Sequence, residues 1–284
     1  MVPGQHRPLQ LMNGRHRAAV IGDPAAHSLS PAIHRAGYAA NDLAWEYEAV
    51  TVTPDELDGF VRARLDDPAW AGLSVTAPHK EAIVGFGEAD EPTKLVGGGN
   101  TIVFGDEPRV YNTDVPGFVR AWRAHGMERP RSAAILGNGA TARSLVLALA
   151  GLEAREVVVL ARRPERAGAI LDLARMLGLH AEVKMLGESP GPVDLVASTI
   201  PAAATSPHAP ALAADARVVF DAVYDPWPTP LGAAAQEVGR ASLNGLDLLA
   251  GQAVDQFFLF TGHRAGFEEC RSAAAAELKR RASL

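Results

Sequence analysis

A glycine fingerprint in the middle of the chain constrains the fold more than any other feature. The run Gly137-Asn138-Gly139-Ala140-Thr141-Ala142 matches G-x-G-x-x-[GA], follows the apolar pair Ile135-Leu136 and opens a helical pattern that ends near Gly151. Such a turn lets the backbone approach a pyrophosphate at a helix N-terminus, and the small last residue lets the helix pack on the strand. The fingerprint predicts a Rossmann-like dinucleotide-binding unit, and the Gly-Lys-Ser/Thr of a P-loop is missing.

Short β-rich runs alternate with amphipathic helical patterns on both sides of this turn. This alternation predicts an α/β fold with largely parallel sheets. Ser30-Pro31 predicts a helix cap followed by a first-turn proline, and Thr53 to Glu56 predicts a capping box. The predicted strands are Ala18 to Ile21, Trp45 to Val52, Leu73 to Thr76, Ile135-Leu136, Val157 to Leu160, Leu195 to Ala197 and Val218 to Phe220.

The next strand of the dinucleotide unit ends in arginines rather than in an acid. A cofactor with a free ribose 2′-hydroxyl usually meets Asp or Glu about 20 residues past the glycines. Here the chain reads Leu160-Ala161-Arg162-Arg163-Pro164-Glu165-Arg166, and a guanidinium binds a 2′-phosphate in bidentate fashion. These arginines favour NADP over NAD, although the acidic residue Glu165 keeps NAD as an alternative cofactor. The alternative is that these arginines decorate a solvated loop.

The composition of the chain restricts the kinds of ligand that it is expected to bind. The chain of 284 residues is long enough for two ordinary domains, and its formal net charge of -6 argues against nucleic acid or an acidic membrane surface. The single cysteine, Cys270, excludes an intramolecular disulfide and a cysteine-based metal site. Residues 1–17 hold no apolar core of a signal peptide, and no later apolar run is long enough to span a bilayer. We expect a cytoplasmic monomer or homodimer that binds a small molecule.

Two polar segments carry candidate chemistry. Lys80 closes Ser74-Val75-Thr76-Ala77-Pro78-His79-Lys80 and is expected at the start of a helix, and Asp114 closes Tyr111-Asn112-Thr113-Asp114. When hydride moves between a nicotinamide and a carbinol carbon, a side chain must exchange the oxygen's proton. Lys80 does this without a metal, and Asp114 orients it. Taken singly, a solvated lysine and a helix N-cap are the plainer interpretations; beside a dinucleotide site they are not.

A serine turn follows the first predicted strand. In Ser28-Leu29-Ser30-Pro31 the two hydroxyls are expected on one side of the turn, where they donate hydrogen bonds to a carboxylate. Ser30 is equally well explained as the cap of the next helix. Histidines 27, 34 and 79 lack a recurring ligand spacing and have no cysteine beside them, so we predict no metal site.

These segments, in this order, resemble the shikimate dehydrogenase family from Ile21-Gly22 to Gln252. The matching segments are Ser28 to Pro31, Ser74 to Lys80, Gly99 to Thr101, Asn112 to Asp114, Gly137 to Ala142, Ala161 to Arg163, Asp221 to Thr229 and Asn244 to Gln252. The resemblance implies NADPH-dependent reduction of 3-dehydroshikimate to shikimate, in the pathway to chorismate and the aromatic amino acids. It implies a substrate domain of residues 1–114 completed by helices at 246–284, an NADP-binding Rossmann-like domain of residues 115–245, and an active site in the cleft between them.

The resemblance also implies roles for single residues. Lys80 and Asp114 form the catalytic pair, and Ser28 and Ser30 hold the substrate carboxylate. Tyr224 lies near substrate and nicotinamide. The residues that bind the ring hydroxyls are Thr76, Asn100, Asp114 and Gln252. The residues that bind the cofactor are Gly137, Asn138, Gly139, Ala140, Thr141, Ala142, Arg162, Arg163, Arg166 and Gly245.

Four departures from the family pattern keep alternatives open. Asn138 stands where Ala is usual, Ala161 where Asn is usual, Ser74 where Asn is commoner, and Gly98-Gly99 where Gly-Ala-Val/Ile is usual. A hydroxyl at position 74 contacts a polyol differently from an amide, so substrate preference is less certain than reaction type. The rival interpretations are a quinate or aminoshikimate dehydrogenase with relaxed cofactor use and, in another class, a non-catalytic NADP-binding sensor.

Overall fold

Strands and helices alternate along the described chain, which in this computed structural model comprises residues 16–283. The expectation of no signal peptide in residues 1–17 therefore falls almost entirely outside the described residues. The strands are β1 (His16–Gly22), β2 (Trp45–Thr51), β3 (Trp70–Val75), β4 (Glu88–Ala89), β5 (Thr101–Val103), β6 (Arg109–Tyr111), β7 (Ser132–Leu136), β8 (Glu156–Ala161), β9 (His180–Met185), β10 (Val193–Ser198), β11 (Ala216–Asp221) and β12 (Ala241–Asn244). The helices are α1 (Ser30–Ala40), α2 (Leu57–Leu65), α3 (Glu91–Val96), α4 (Asp114–Ala124), α5 (Ala140–Gly151), α6 (Gly168–Met176), α7 (Ala202–Thr205), α8 (Ala209–Asp215), α9 (Pro230–Glu237), α10 (Gly245–Thr261) and α11 (Phe267–Ala282).

Every predicted strand is present, so the α/β prediction is confirmed. The strands that periodicity missed are β4, β5, β6, β9 and β12. Of these, β4, β5, β6 and β12 have only two to four residues, too few for an alternating pattern to register. Strand β9 lies at a sheet edge and alternates polar with apolar residues, so it lacks the continuous apolar run by which its neighbours were recognised.

The residues cluster into two compact units. The first comprises the described residues up to Thr93, Gly98–Thr113 and the residues from Ala253 onward, and the second comprises Lys94–Gly97 and Asp114–Gln252. These bounds differ from the predicted domain bounds at Asp114, at residues 94–97 and at residues 246–252. Asp114 begins α4 and therefore groups with that helix, and the last boundary falls inside the continuous helix α10 rather than at its start.

The first unit contains a mixed sheet with the strand order β2-β1-β3-β5-β6-β4. Strand β1 is parallel to β2 and β3, whereas β5 runs antiparallel to β3 and to β6. The prediction of largely parallel sheets is confirmed, and the antiparallel pairs are those made by β5, a strand that the sequence pattern did not reveal. All six residues of β3 are buried, as expected for a central strand.

The second unit contains a sheet in which every strand pair is parallel, in the order β12-β11-β10-β7-β8-β9. Its core is an apolar cluster made by the inner strands and the helices packed on them, including Leu136, Leu160, Val196 and Leu231. The carboxyl ends of parallel strands meet at one edge of a sheet, where ligands bind in open α/β folds. Within residues 16–283 we find no helix long and apolar enough to cross a membrane.

Candidate active site

The serine turn lies between β1 and α1 and is internally hydrogen-bonded. Ser28 N–H donates to Ala25 O at 2.9 Å, and Ser30 N–H donates to the Ser28 hydroxyl oxygen at 3.2 Å. Ser30 is buried and is the first residue of α1, so the N-cap position belongs to Leu29. The prediction that Ser30 caps the helix is wrong, because the Ser28 hydroxyl serves the backbone N–H of Ser30 instead. Both hydroxyls remain in one turn after β1.

The turn that holds Lys80 is anchored by its neighbour. His79 is 1% exposed, and its Nε2 lies 2.7 Å from Val52 O. Since a carbonyl oxygen only accepts, Nε2 carries the proton in this contact. The backbone of the turn is fixed further by Gly99 N–H, which donates to Lys80 O at 2.8 Å. His79 therefore has a structural role, which fits its lack of a metal-ligand spacing.

The α-helix expected to start at Lys80 is not formed. Lys80 lies in a turn, and the chain continues into the short 3₁₀ helix Ala82–Phe86. The physical reason is that Lys80 O accepts from Gly99 N–H, in another segment, whereas Val84 N–H, its partner in an α-helix, bonds to Glu81 O. The lysine is half-buried, directly after the edge where β3 ends.

Asn100 is held by its side-chain oxygen. Asn100 is 1% exposed, and its Oδ1 accepts hydrogen bonds from Thr113 N–H at 2.8 Å, the Thr113 hydroxyl at 3.0 Å and the Thr101 hydroxyl at 3.1 Å. Three donors satisfy this oxygen, so a flipped amide would place its own N–H groups against them. The orientation of the Asn100 amide is therefore fixed by these three hydrogen bonds.

A buried polar network behind Asn100 was missed from the sequence. The Tyr47 hydroxyl donates to Ser74 Oγ at 2.7 Å, and the Ser74 hydroxyl donates to Gln256 Oε1 at 3.0 Å. Gln256 Nε2 then donates to Asn100 O at 3.1 Å and to the Thr101 hydroxyl at 3.0 Å. The sequence signal that could have revealed this network was Gln256, a glutamine within an apolar helical stretch. Ser74 thus uses its hydroxyl inside the protein, between Tyr47 and Gln256.

The predicted substrate residues of the first unit lie at one edge of its sheet. The serine turn follows β1, and Thr76 and Lys80 follow β3, its parallel neighbour. Asn100 precedes β5, which runs antiparallel to β3, so the start of β5 meets the end of β3. Val75 N–H donates to Asn100 O at 2.7 Å, which ties these two segments together. Hydroxyl, amide and ammonium groups are thus collected at one place.

In the second unit the glycine turn has the geometry that a pyrophosphate needs. Gly137 has a φ of 106°, and a Cβ added there would lie 2.6 Å from Thr199 Oγ1. Gly139 is the N-cap of α5, and a Cβ added there would meet nothing within 4 Å in the protein. Ala142 is fully buried, as predicted for the contact of helix with strand. Gly137 is required by the fold itself, whereas Gly139 leaves open space in front of the helix.

A cavity of about 350 Å³ opens beside this turn. It brings together many of the predicted cofactor residues, and Asn138 Nδ2 donates to Arg166 O at 2.9 Å across its rim. Glu165 is not among its lining residues, which favours a phosphate-bearing ligand. The lining residues are Gly137, Asn138, Leu160, Ala161, Arg162, Arg163, Arg166, Leu186, Ile200, Pro201 and Ala204. The predicted residues Gly139, Ala140, Thr141, Ala142 and Gly245 do not line it.

The chemistry of this lining fits the adenosine and 2′-phosphate half of NADP. Exposed guanidinium groups offer bidentate donors, the glycine turn offers backbone N–H groups, and the apolar side chains offer a surface for a ring. Sequence reasoning missed Leu186, Ile200, Pro201 and Ala204. Their positions after β9 and β10, at the same sheet edge as the glycine turn, were the available signal.

The remaining predicted residues of the second unit form two close groups. Asp114 is 1% exposed at the start of α4, whose Gly117 packs so closely on α10 that a Cβ there would lie 2.6 Å from Gln252 N. Gly245 packs against Tyr224, because a Cβ added to Gly245 would lie 2.9 Å from Tyr224 Cδ1. Close helix packing therefore sets Asp114 and Gln252 on adjacent helices, and the start of α10 adjoins Tyr224.

Asp221 shapes the loop that carries Tyr224. Its carboxylate accepts from Val223 N–H at 3.1 Å and from the Thr229 hydroxyl at 2.8 Å, and the residue is fully buried. Burial raises the pKa of Asp221, partly offset by these two hydrogen bonds. The Thr229 hydroxyl also accepts from Gly232 N–H at 3.1 Å and caps α9. Asp221 and Thr229 therefore act structurally, holding the loop between β11 and α9.

Comparison with known proteins identifies a family model and relatives that are similar to this chain. A family model described as the shikimate dehydrogenase substrate binding domain matches residues 20–102. The chain is similar to the shikimate dehydrogenase (NADP(+)) of Desulfitobacterium hafniense, at 34% identity over 264 residues that cover 90% of this chain and 96% of the relative. A relative of the same description from Methylobacterium radiotolerans is 37% identical over 280 residues, covering 87% of this chain and 92% of the relative.

Solved structures show the same architecture. Mycobacterium tuberculosis shikimate dehydrogenase superposes with a TM-score of 0.84 at 37% identity, covering 92% of this chain and 99% of that one. A shikimate 5-dehydrogenase from Thermus thermophilus, solved in complex with NADP(H) and shikimate, has a TM-score of 0.80 at 29% identity, with coverages of 92% and 99%.

Proposed function

Because the chain belongs to the shikimate dehydrogenase family, we propose that it catalyses the reversible NADPH-dependent reduction of 3-dehydroshikimate to shikimate. The observation that carries the proposal is the convergence of the serine turn, Thr76, Lys80 and Asn100 at one edge of the first sheet. These groups match a small ring that bears a carboxylate and several hydroxyls. A place in chorismate and aromatic amino-acid biosynthesis, in the cytoplasm, follows from the resemblance and is part of the proposal.

Proton transfer is assigned to Lys80. NADPH, when bound, supplies the hydride, which leaves the protein to exchange one proton with the carbinol oxygen. The Lys80 ammonium donates that proton to the developing alkoxide, and its half-buried position beside the end of β3 supports this role. Asp114, an almost fully buried carboxylate, orients the lysine and binds a ring hydroxyl.

Binding of the ring is assigned to short polar side chains. Ser28 and Ser30 donate to the carboxylate, and Thr76, Asn100 and Gln252 bind the ring hydroxyls together with Asp114. The placement of Asn100 directly before β5, where the start of that strand meets the end of β3, supports this assignment. Tyr224 lies near substrate and nicotinamide, and the Gly245 backbone binds the nicotinamide amide.

Binding of NADP is assigned to the second unit. The glycine turn from Gly137 to Ala142 receives the pyrophosphate at the start of α5. Arg162, Arg163 and Arg166 bind the 2′-phosphate, and the lining of the cavity beside that turn supports NADP over NAD.

The direct test is conversion of 3-dehydroshikimate by the purified protein. We expect NADPH oxidation to depend on 3-dehydroshikimate and to yield one shikimate per NADPH consumed. NADPH binding without any oxidation would support a non-catalytic sensor instead. Faster turnover of 3-dehydroquinate would support a quinate dehydrogenase.

A further inference from the structure

Arg281, near the end of the last helix, reaches the turn that carries the two predicted carboxylate-binding serines. Its Nη1 donates to His27 O at 2.9 Å, and its Nη2 donates to Ser28 O at 3.0 Å. These are consecutive backbone carbonyls, so one guanidinium binds both in a fork. Helix α11, which holds Arg281, packs along α1, the helix that the serine turn opens.

The guanidinium is itself oriented by an ion pair. Arg281 Nε donates to Glu277 Oε1 at 2.8 Å, one helical turn earlier on α11. The Arg281 side chain is 33% exposed and that of Glu277 is 18% exposed. Hydrogen bonds from Arg280 and then from Arg281 lower the pKa of Glu277 to about 2. Glu277 is therefore ionised at neutral pH, and its hydrogen bond with Arg281 Nε holds the guanidinium toward the turn.

The two carbonyls flank the α-carbon of Ser28. The His27 carbonyl belongs to the peptide before Ser28, and the Ser28 carbonyl belongs to the peptide after it. Fixing both peptide planes fixes the φ and ψ of Ser28 and hence the direction of its side chain. The Ser28 hydroxyl oxygen accepts from Ser30 N–H at 3.2 Å, so the same contact sets the start of α1.

The two hydrogen bonds from Arg281 also change the electrostatics of the serine turn. A carbonyl oxygen carries partial negative charge, and a free peptide in this turn can rotate that charge toward a bound carboxylate. With both oxygens bound to Arg281, their negative ends point to the guanidinium. The turn then presents hydroxyl donors, not carbonyl acceptors, to an anion.

We infer that Arg281 is a positioning residue for recognition of the substrate carboxylate, acting through Ser28 and Ser30 without touching the substrate. The inference rests on the proposed function, since it needs these serines to bind that carboxylate. It assigns a role in substrate affinity to the last helix of the chain. It predicts that loss of Arg281 raises the KM for shikimate and leaves the proton-transfer step unchanged.

Two variants of Arg281 test this inference against a matched control. R281M keeps the length and the apolar stem of the side chain but removes all donors, and R281K keeps the charge but cannot bind two carbonyls in a fork. The control is R280M: Arg280 pairs with the same Glu277 at 2.7 Å, and no hydrogen bond links it to the serine turn within the described part of the chain. The measured quantities are kcat, the KM for shikimate and the KM for NADP, repeated with shikimate methyl ester, which keeps the ring hydroxyls and lacks the negative charge.

We expect R281M to raise the KM for shikimate about tenfold, since it removes hydrogen bonds from a charged donor. We expect kcat and the KM for NADP to stay within about twofold of the wild-type values, R281K to be intermediate and R280M to match the wild type. The kinetic constants for the methyl ester should be the same in R281M and wild type. Thermal unfolding of each variant checks that the fold is kept.

Each contrary result has a separate meaning. An active wild type with an unchanged KM for shikimate in R281M overturns the inference alone. The inference is also overturned if R281M raises the KM for shikimate and for its methyl ester equally, or if it raises the KM for NADP as much as the KM for shikimate. In either case the effect is not exerted through carboxylate binding. A wild type that does not oxidise shikimate with NADP overturns the proposed function, and the inference with it.

Discussion

The two units of the chain fix their polar groups in different ways. In the first unit, Asn100 is held by a buried chain of side-chain hydrogen bonds that runs through Tyr47, Ser74 and Gln256. In the second unit, the cavity lies beside a backbone turn at Gly137, over an apolar core. The first arrangement suits a ring whose several hydroxyls must each meet one partner. The second suits a pyrophosphate, which backbone N–H groups and a helix N-terminus bind without side-chain specificity.

The difference also bears on tolerance to substitution. Removing one member of a buried network leaves its partner without a hydrogen bond, which costs about 1–3 kcal/mol. A glycine turn fails in another way, because a side chain at a positive φ strains the backbone by about 1–3 kcal/mol. The predictions below test these two mechanisms, beginning with the residue that we propose as the proton donor.

The largest effect is expected for Lys80→Ala in the first unit. General acid–base catalysis contributes about 100-fold or more, so turnover should fall at least that far while substrate binding is largely kept. The measurement is the initial rate of NADPH oxidation with 3-dehydroshikimate. Lys94→Ala is the matched control, because Lys94 is an exposed lysine on α3. Near wild-type turnover in K80A would remove Lys80 from the mechanism.

The next effect concerns the glycine turn of the second unit. Gly137→Ala should destabilise the fold by about 1–3 kcal/mol, because φ is 106° and the added Cβ would meet Thr199. Gly139→Ala should leave stability unchanged, because nothing lies within 4 Å of the added Cβ. It should nevertheless weaken NADPH binding about tenfold or more, since the pyrophosphate must approach the backbone closely there. Urea unfolding and NADPH fluorescence titration give the two quantities.

Each of these two glycine variants has a result that would contradict its prediction. A G137A protein as stable as the wild type would show that the turn adapts to a side chain. A G139A protein that binds NADPH as tightly as the wild type would show that the pyrophosphate does not sit at this turn.

A pH effect of about 2 kcal/mol is expected from His34 in the first unit. His34 is fully buried and stacks on Tyr47 at 4.0 Å, and burial is the main cause that lowers its pKa from 6.5 to about 3, partly offset by Gln256. The folded state keeps the ring neutral, whereas the unfolded chain takes up a proton below its pKa of about 6.5. Stability is therefore lost as pH falls from about 6.5 toward 3.

The measurement is urea unfolding at pH 7 and pH 5. The fall in unfolding free energy between these pH values should be about 2 kcal/mol smaller in His34→Leu than in the wild type. His180→Leu is the control, because His180 is exposed on β9. An equal fall in unfolding free energy between pH 7 and pH 5 in H34L and in the wild type would mean that the fold does not hold His34 neutral.

The smallest effect compares two buried tyrosines. Tyr47→Phe removes the donor to Ser74 Oγ and should cost about 1–2 kcal/mol of stability. Tyr38→Phe is the same chemical change in the same aromatic cluster, and the Tyr38 hydroxyl has no hydrogen-bond partner within residues 16–283. Its unfolding free energy should stay within about 0.5 kcal/mol of the wild type. Equal effects of Y47F and Y38F would show that the network contributes nothing to stability.

Sequence reasoning succeeded where the determinants are local. The glycine turn, the arginines after β8 and the four inner strands of the second sheet are each set by neighbouring residues, and each was predicted within a few positions. The serine turn and the Lys80 segment were also recognised, although the cap at Ser30 and the helix at Lys80 were wrong. At Ser30 a hydrogen bond to the Ser28 hydroxyl, and at Lys80 a hydrogen bond from Gly99 N–H, replaced the expected geometry.

The contacts that sequence reasoning missed join residues far apart in the chain. The hydrogen bond from Ser74 to Gln256 spans 182 residues, and the bond from Arg281 to His27 O spans 254. No periodicity links such positions, because their contact depends on how the last two helices pack on the first sheet. The β5–β6 hairpin was missed for another reason, since its strands have three residues each.

The most direct test of the whole account is one set of specificity constants. Oxidation of shikimate and of quinate is followed by the absorbance of the reduced nicotinamide, with NADP and with NAD, in the purified wild-type protein. We predict that kcat/KM is highest for shikimate with NADP. A higher value for quinate or with NAD, or no oxidation of shikimate by a protein that binds NADPH, would contradict the account.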